Sequence, residues 1–293
     1  YLMPGYLYSY KRFHVTFEIP IVQIGNPDAL ERLQKLIAPF VLRRLKKDVL
    51  KDLPEKLEKN MFTPLTGEQE DLYRAHVQRL EVLLSKQSQE EFNQSKIEIL
   101  AELTKLRQLC CDPALLYENY QAGSAKLDLC LELVQNAISG GHKILIFSQF
   151  TTMLDGIAER LKQENIPYYV LKGSTPKQER MQLVTAFNQD ETPVFLISLK
   201  AGGTGLNLTA ADIVIHYDPW WNLAVQNQAT DRAHRIGQQN VVSVYRLFMK
   251  DTIEERIRAL QEKKRELADE ILSGEGIGQA LISREEVLEL LGR

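Results

Sequence analysis

Between residues 124 and 250 the chain repeats one pattern: a short, nearly unbroken apolar run followed by an amphipathic stretch. The apolar runs are KILIFSQF (143–150), YYVLKG (168–173), VFLISL (194–199), DIVIHYD (212–218) and VVSVYRLFM (241–249). TMLDGIAERLKQEN, TPKQERMQLVTAFNQ and NLAVQNQATDRAHRI lie between them and read as helices. A strand with one wet face alternates apolar and polar residues, whereas a strand that is apolar throughout must be covered on both sides. The repeat therefore predicts an α/β fold, a parallel sheet with helices on both faces. In such sheets ligands gather outside the carboxyl ends of the strands. The SQF turn, the glycine-rich KAGGTGLN loop and the PWWN turn all fall there.

The rest of the chain reads as helical. PGYLYSYKRFHVTFEIPI, near the start, is expected to be irregular and uncapped, as in a piece of a longer protein. Asp28 is expected to cap a helix with Leu30, Leu33, Leu36 and Ile37 on one face. Pro39 ends it, and a second helix is expected to run to Leu53. Thr66 and Gln69 have the spacing of a capping box ahead of a long helical hairpin spanning 66–120. Residues 251–272 form one helix with Ile253, Ile257, Leu260, Leu267 and Ile271 on one side, and Ser283 with Glu286 opens a short terminal one.

Composition narrows the function classes. The 293 residues suffice for one large domain or two, and 44% hydrophobic with 26% charged is ordinary for a soluble protein. No apolar run approaches the length of a membrane span, and no secretory leader is visible. Cys110, Cys111 and Cys130 are too few and too badly spaced for zinc and read as reduced core cysteines. A net charge of −3 does not suggest a protein that coats nucleic acid by bulk charge. Residues 1–60 nevertheless hold 11 Lys/Arg against 7 Asp/Glu. Their densest run, LRRLKKD (42–48), is either a solvated helix face or a nucleic-acid contact.

Chemistry concentrates in a few places. On a helix beginning at Asn222, Gln228, Arg232 and Arg235 share one stripe, with Val225, Ala229, Ala233 and Ile236 on another. The small apolar stripe packs on the sheet, and the arginines emerge at its rim. Arginine is suited to a two-pronged grip on phosphate oxygens. The loop SLKAGGTGLN lets backbone approach a ligand and offers N–H groups to an anion, yet it does not match G-x-x-x-x-G-K-[ST], nor does any other segment. ADEIL (268–272) is an acidic pair on a helix rather than at a strand end, so it is no metal site. Of the two tryptophans, Trp220 and Trp221, one belongs to the core; the other packs too or lies against a sugar or base. The histidines make no metal set, and His234 orients the arginine helix or packs.

These motifs together resemble those of the second RecA-like lobe of Swi/Snf-type ATPases in helicase superfamily 2. They are ILIFSQF, LKGSTPKQERMQLVTAFN, FLISLKAGGTGLNLTAADIVIHYDPWWN and QATDRAHRIGQ. The flanking PGYL.SYKRF, PFVLRRLKKDVLKDLPEK and TIEERI..LQ.KK resemble the same family, so the likeness covers nearly the whole chain. It implies an ATP-driven translocase on double-stranded DNA. It assigns residues 1–57 to the end of a first lobe, 58–122 to a helical protrusion, 123–250 to the second lobe and 251–293 to a bracing helix and tail. Arg232 and Arg235 are then catalytic, reaching the phosphates of ATP, with Gln228, Gly203 and Gly205 also facing the nucleotide. The phosphate loop and the Mg²⁺ ligands belong to the first lobe. Ser148, Gln149, Gly173, Ser174, Ser198, Lys200, Ala201, Gly202 and Trp221 are expected to follow DNA. Leu223 and Gln226 stand where bacterial relatives often have Pro and Glu, which would loosen the helix start. Implied partners are the first lobe of the same parent chain and a DNA-bound protein such as RNA polymerase. The implied setting is a bacterial cytoplasm, at the nucleoid. The rival readings are a non-catalytic DNA- or partner-binding module on a helicase scaffold and an RNA-directed helicase.

Overall fold

The structure, a computed structural model, describes residues 5–23, 25–40, 53–85, 89–202, 205–272, 290 and 291. The chain divides into two compact units, Tyr1–Lys51 with Leu260–Leu281, and Asp52–Ala259 with Ile282–Arg293. Among the described residues no helix is long and apolar enough to cross a membrane.

In the first unit α1 (Tyr10–Phe13) continues into a π-type helical stretch, His14–Gln23, and α2 (Pro27–Ile37) follows. The irregular reading of this segment is corrected. Phe17 and Ile21, four apart, are buried with Leu33 of α2. Tertiary burial outweighs Pro20, whose missing N–H argues against a helix. Asn26 rather than Asp28 caps α2: its Oδ1 accepts from the amides of Asp28 and Ala29 at 2.9 and 3.1 Å. Asp28 instead sits in the first turn, where a carboxylate complements the helix dipole. The run 42–48, the body of the second helix expected before Leu53, and the terminal pair Ser283 and Glu286 lie outside the described residues.

The second unit is built on a six-stranded, wholly parallel sheet in the order β1-β6-β5-β2-β4-β3. The strands are β1 (Lys56–Pro64), β2 (Ile144–Ser148), β3 (Tyr168–Leu171), β4 (Val194–Ser198), β5 (Ile213–His216) and β6 (Val242–Lys250). Five of them fall on the apolar runs. The sixth, β1, lies where the sequence reads a helical protrusion. Three of its nine residues KLEKNMFTP are charged, as suits an edge strand, which pairs with β6 alone from Lys56↔Val242 to Pro64↔Lys250.

Helices α3 (Gly67–Ser85) and α4 (Gln89–Cys111) make the hairpin; α5 (Ala125–Ser139), α6 (Thr151–Gln163), α7 (Lys177–Gln189), the single turn α8 (Leu199–Gly202), α9 (Leu223–Thr230) and α10 (Ile253–Leu272) follow. Alternate residues of each strand face opposite sides. Ile144, Ile146, Leu196 and Ile215 meet Leu131, Val134, Leu154 and Ile157 of α5 and α6. Leu145, Phe147, Phe195, Ile197 and Val214 meet Phe187 of α7 and Ala229 of α9. The hairpin has its own core of Tyr73, Leu80, Leu84, Phe92, Leu103 and Leu106, shared with Ile253 and Ile257. Gln69 does not close a capping box with Thr66: its Nε2 donates to the Leu109 carbonyl at 2.8 Å, tying the start of α3 to the end of α4. Lys126 and Glu254 form an ion pair at 2.5 Å with both side chains fully buried, and Glu254 also accepts the Met249 amide at 2.8 Å. All three cysteines are free and buried, and burial pushes the Cys130 thiol up to about 12.

Candidate functional site

The carboxyl ends of β2 and β4 lie side by side, with Ser148 and Ser198 in register. Both serines are buried. Ser148 Oγ donates to Asp218 Oδ1 at 2.5 Å, and the same carboxylate accepts the Gln149 amide at 3.3 Å. Ser198 Oγ and Gln149 Nε2 are buried without a hydrogen-bond partner, so two polar groups at this edge are left unspent. Such groups cost free energy unless something else satisfies them.

Beside them, Gly173 and Ser174 form an exposed turn after β3. A Cβ at Gly173 would meet nothing within 4 Å, and its φ is not in the left-handed region, so the fold itself does not require glycine there. Lys200 on α8 is exposed, whereas Ala201 is buried in the core and can offer a ligand only its backbone. Gly202 ends α8. Arg180 of α7 spans the two loops, donating to the carbonyls of Thr175 and Ala201, each at 3.4 Å. Gly203 lies outside the described residues, and Gly205 has a φ of +37°. Trp220 packs on the sheet core and Trp221 on the hairpin core, both half-buried.

The arginine segment departs from the predicted helix. Asn222 caps α9, its side chain accepting the Ala224 amide at 2.9 Å, and the helix ends at Thr230 with Asp231 as its C-cap. Arg232 and Arg235 therefore sit in the tight turns that follow rather than on a shared stripe with Gln228, which stands exposed on α9. Competing hydrogen bonds stop the helix. Leu208 donates its amide to the Arg232 carbonyl at 3.0 Å. Gln238 Nε2 donates to the carbonyls of Ala211 (2.8 Å), Thr209 (3.2 Å) and Ala233 (3.2 Å). Its Oε1 accepts the amides of Gln239 and Asn240 at 2.9 Å each. Gly237 takes a φ of +101°, which a side chain would strain.

Two histidines brace the same segment. His216 on β5 shares a hydrogen bond with Thr230 Oγ1 at 2.8 Å. His234 Nε2 donates to the Pro54 carbonyl at 2.8 Å, so its Nε2 carries the proton. Arg232 is only 8% exposed, while Arg235 is exposed, with one Nη1 contact to the Leu206 carbonyl at 3.5 Å. Burial lowers the pKa of Arg232, and the charge of Arg235 lowers it further. Among the described residues no group of three His, Cys, Asp or Glu side chains could hold a metal ion.

Asp218, Arg180 and Arg107 stand at this site without a signal of their own in the sequence. Only the tail of the DIVIHYD run hints at Asp218, through an acid placed where a buried strand ends.

The profile of the helicase conserved C-terminal domain matches residues 125–237, and that of the SNF2-related domain matches residues 1–115. A putative ATP-dependent helicase/translocase of Bacillus subtilis (strain 168), YwqA, is 43% identical over 284 residues, 94% of this chain. The chain spans only 30% of that relative's length. The Sulfolobus solfataricus SWI2/SNF2 ATPase C-terminal domain superposes with a TM-score of 0.62 at 34% identity, over 75% of this chain and 91% of that one. The Sulfolobus solfataricus SWI2/SNF2 ATPase core in complex with dsDNA superposes with a TM-score of 0.64 at 37% identity, over 92% of this chain and 57% of that one.

Proposed function

The chain belongs to the SWI/SNF-type, SNF2-related family of ATP-dependent helicases, and from that premise we propose that its second unit is the C-terminal lobe of a motor that hydrolyses ATP to move along double-stranded DNA. The observation that carries the proposal is the arginine turn. Two arginines, one buried and one exposed, stand three residues apart in a segment stapled by Gln238, His216 and His234. Paired guanidinium donors suit the oxygens of a phosphate. The γ-phosphate of ATP is such an anion, and its charge spreads over the equatorial oxygens as the bond to the leaving group breaks. Arg235 is the exposed member and meets that charge; Arg232 supports it from behind, and Gln228, Gly203 and Gly205 flank the nucleotide. The phosphate loop and the acidic ligands of Mg²⁺ are assigned to a first lobe.

The strand ends serve the other substrate. Ser148, Gln149, Gly173, Ser174, Ser198, Lys200, Ala201 and Gly202 border one edge, where the exposed Gly173–Ser174 turn and Lys200 suit a sugar–phosphate strand. Trp221 braces the hairpin against that edge. The dsDNA complex of the Sulfolobus relative supports duplex DNA as the track. A DNA-bound protein, RNA polymerase among the candidates, is the proposed load.

Replacing Arg235 with Ala in a protein that carries both lobes tests this. An arginine supplied to a γ-phosphate is worth about 10³–10⁵ in turnover. DNA-stimulated hydrolysis should fall by that order while ATP binding changes little, and Arg235→Lys should not rescue, because the two-pronged contact is lost. Turnover within about threefold of normal would refute the assignment and favour a non-catalytic module.

A further inference from the structure

We propose that Arg107, on the helical hairpin, is a positioning residue that holds the DNA-facing exit of β2 in place. Arg107 lies near the end of α4 and is almost fully buried. Its guanidinium crosses to the sheet. Nη2 donates to the Pro219 carbonyl and lies 3.9 Å from Asp218 Oδ2. The planar cation is flanked by the rings of Trp221, 5.4 Å from its centroid, and Phe150, at 5.7 Å. Asp218 in turn organises the loop after β2: it accepts Ser148 Oγ and the Gln149 amide, and Ser148 Oγ accepts the Phe150 amide at 3.1 Å.

One buried arginine thus contacts the segments that follow β2 and β5. The SQF turn is reached through Asp218 and Phe150, and the PWWN turn directly. A guanidinium suits the task because it can donate in one direction while its faces stack between rings. The charges also make the link strong: with Arg107 removed, Asp218 would be a buried carboxylate without its cation. Burial already pushes the Asp218 carboxyl above its ordinary range with Arg107 present. The α3–α4 hairpin acquires a role as the support from which the tracking loop is set. Arg107 serves DNA only if the strand ends follow the duplex as proposed above; its hold on the loop does not depend on that.

The test is amide hydrogen exchange on the 293-residue chain without DNA, followed by duplex titration. Two variants are compared with the parent. Arg107→Lys keeps the charge and loses the fork. Arg107→Met with Asp218→Asn removes both charges, so no orphan carboxylate remains if the lysine variant fails to fold. The expected result is exchange at least about tenfold faster at Gln149 and Phe150, with the amides of β2 and β5 unchanged. Duplex affinity should weaken roughly three- to tenfold with the same salt slope, because Arg107 is buried and neutralises no phosphate. Native exchange at 149–150 in a folded variant would overturn the proposal. So would a uniform rise across the sheet in both variants, which would make Arg107 a stability residue only. If the parent binds no duplex while loop exchange rises selectively, the DNA reading falls and the positioning role stands.

Discussion

Mild acid should loosen the arginine turn through His216, and the size of the effect follows from its surroundings. The imidazole is 1% exposed, stacked on Phe147 at 5.6 Å between centroids, and hydrogen-bonded to Thr230 Oγ1 at 2.8 Å. Burial, then the positive charges of Arg246 and Lys56 against the opposing Glu58, hold its pKa at about 3, down from 6.5. The folded-state pKa lies below the unfolded one, so the unfolded chain takes up the proton first. The stability due to neutral His216 is therefore fully present above about pH 6.5 and is lost as pH falls toward about 3. Each pH unit below 6.5 costs about 1.4 kcal/mol, so moving from pH 7 to pH 5 costs about 2 kcal/mol. That figure scarcely changes for any folded-state pKa below about 4. Urea unfolding at both pH values, for the parent and for His216→Gln, isolates this contribution because the other titrating groups cancel. The glutamine can still reach Thr230 but does not titrate. The parent should lose about 2 kcal/mol more than the variant. If the two losses agree within about 0.5 kcal/mol, His216 does not stay neutral in the fold and the reasoning fails.

Other outcomes follow from the same structure. The 293-residue chain alone should show no DNA-stimulated ATPase activity, since its sequence contains no G-x-x-x-x-G-K-[ST] loop to cradle the β- and γ-phosphates; a malachite-green assay with duplex DNA checks this. Its DNA binding should be weak, indifferent to sequence and lost as salt rises, because contacts at the strand ends are to phosphate; fluorescence anisotropy on two unrelated duplexes over a salt series decides it, and one strongly preferred sequence would contradict it. Lys126→Met should destabilise the second unit by about 3–5 kcal/mol by leaving the Glu254 carboxylate buried and unpaired. Adding Glu254→Gln, which keeps an acceptor for the Met249 amide, should recover more than half of that in denaturant titrations.

The sequence by itself determined the sheet and the identity of its chemistry. Parallel strands covered by helices are largely apolar, so 144–148, 168–171, 194–198, 213–216 and 242–250 announce themselves locally. The glycines, serines and arginines at their ends are equally legible, because turn and phosphate chemistry depends on residue type. Tertiary structure decided what depends on partners far along the chain. β1 carries three charges in nine residues and is completed as a strand by lying against β6, across a gap such as the 188 residues between Glu58 and Arg246. Residues 10–23 are helical despite Pro20 because Phe17 and Ile21 find Leu33. The helical period runs on through Arg235, yet α9 stops at Thr230, since Gln238 and Leu208 capture the backbone beyond it. Arg107 meets Pro219 across 112 residues, and no spacing rule reaches that far. Periodicity reports which face of a segment is buried; it carries no information about which distant carbonyl or carboxylate that face will meet, and those long-range hydrogen bonds set the arginines and the strand-end loops where they are.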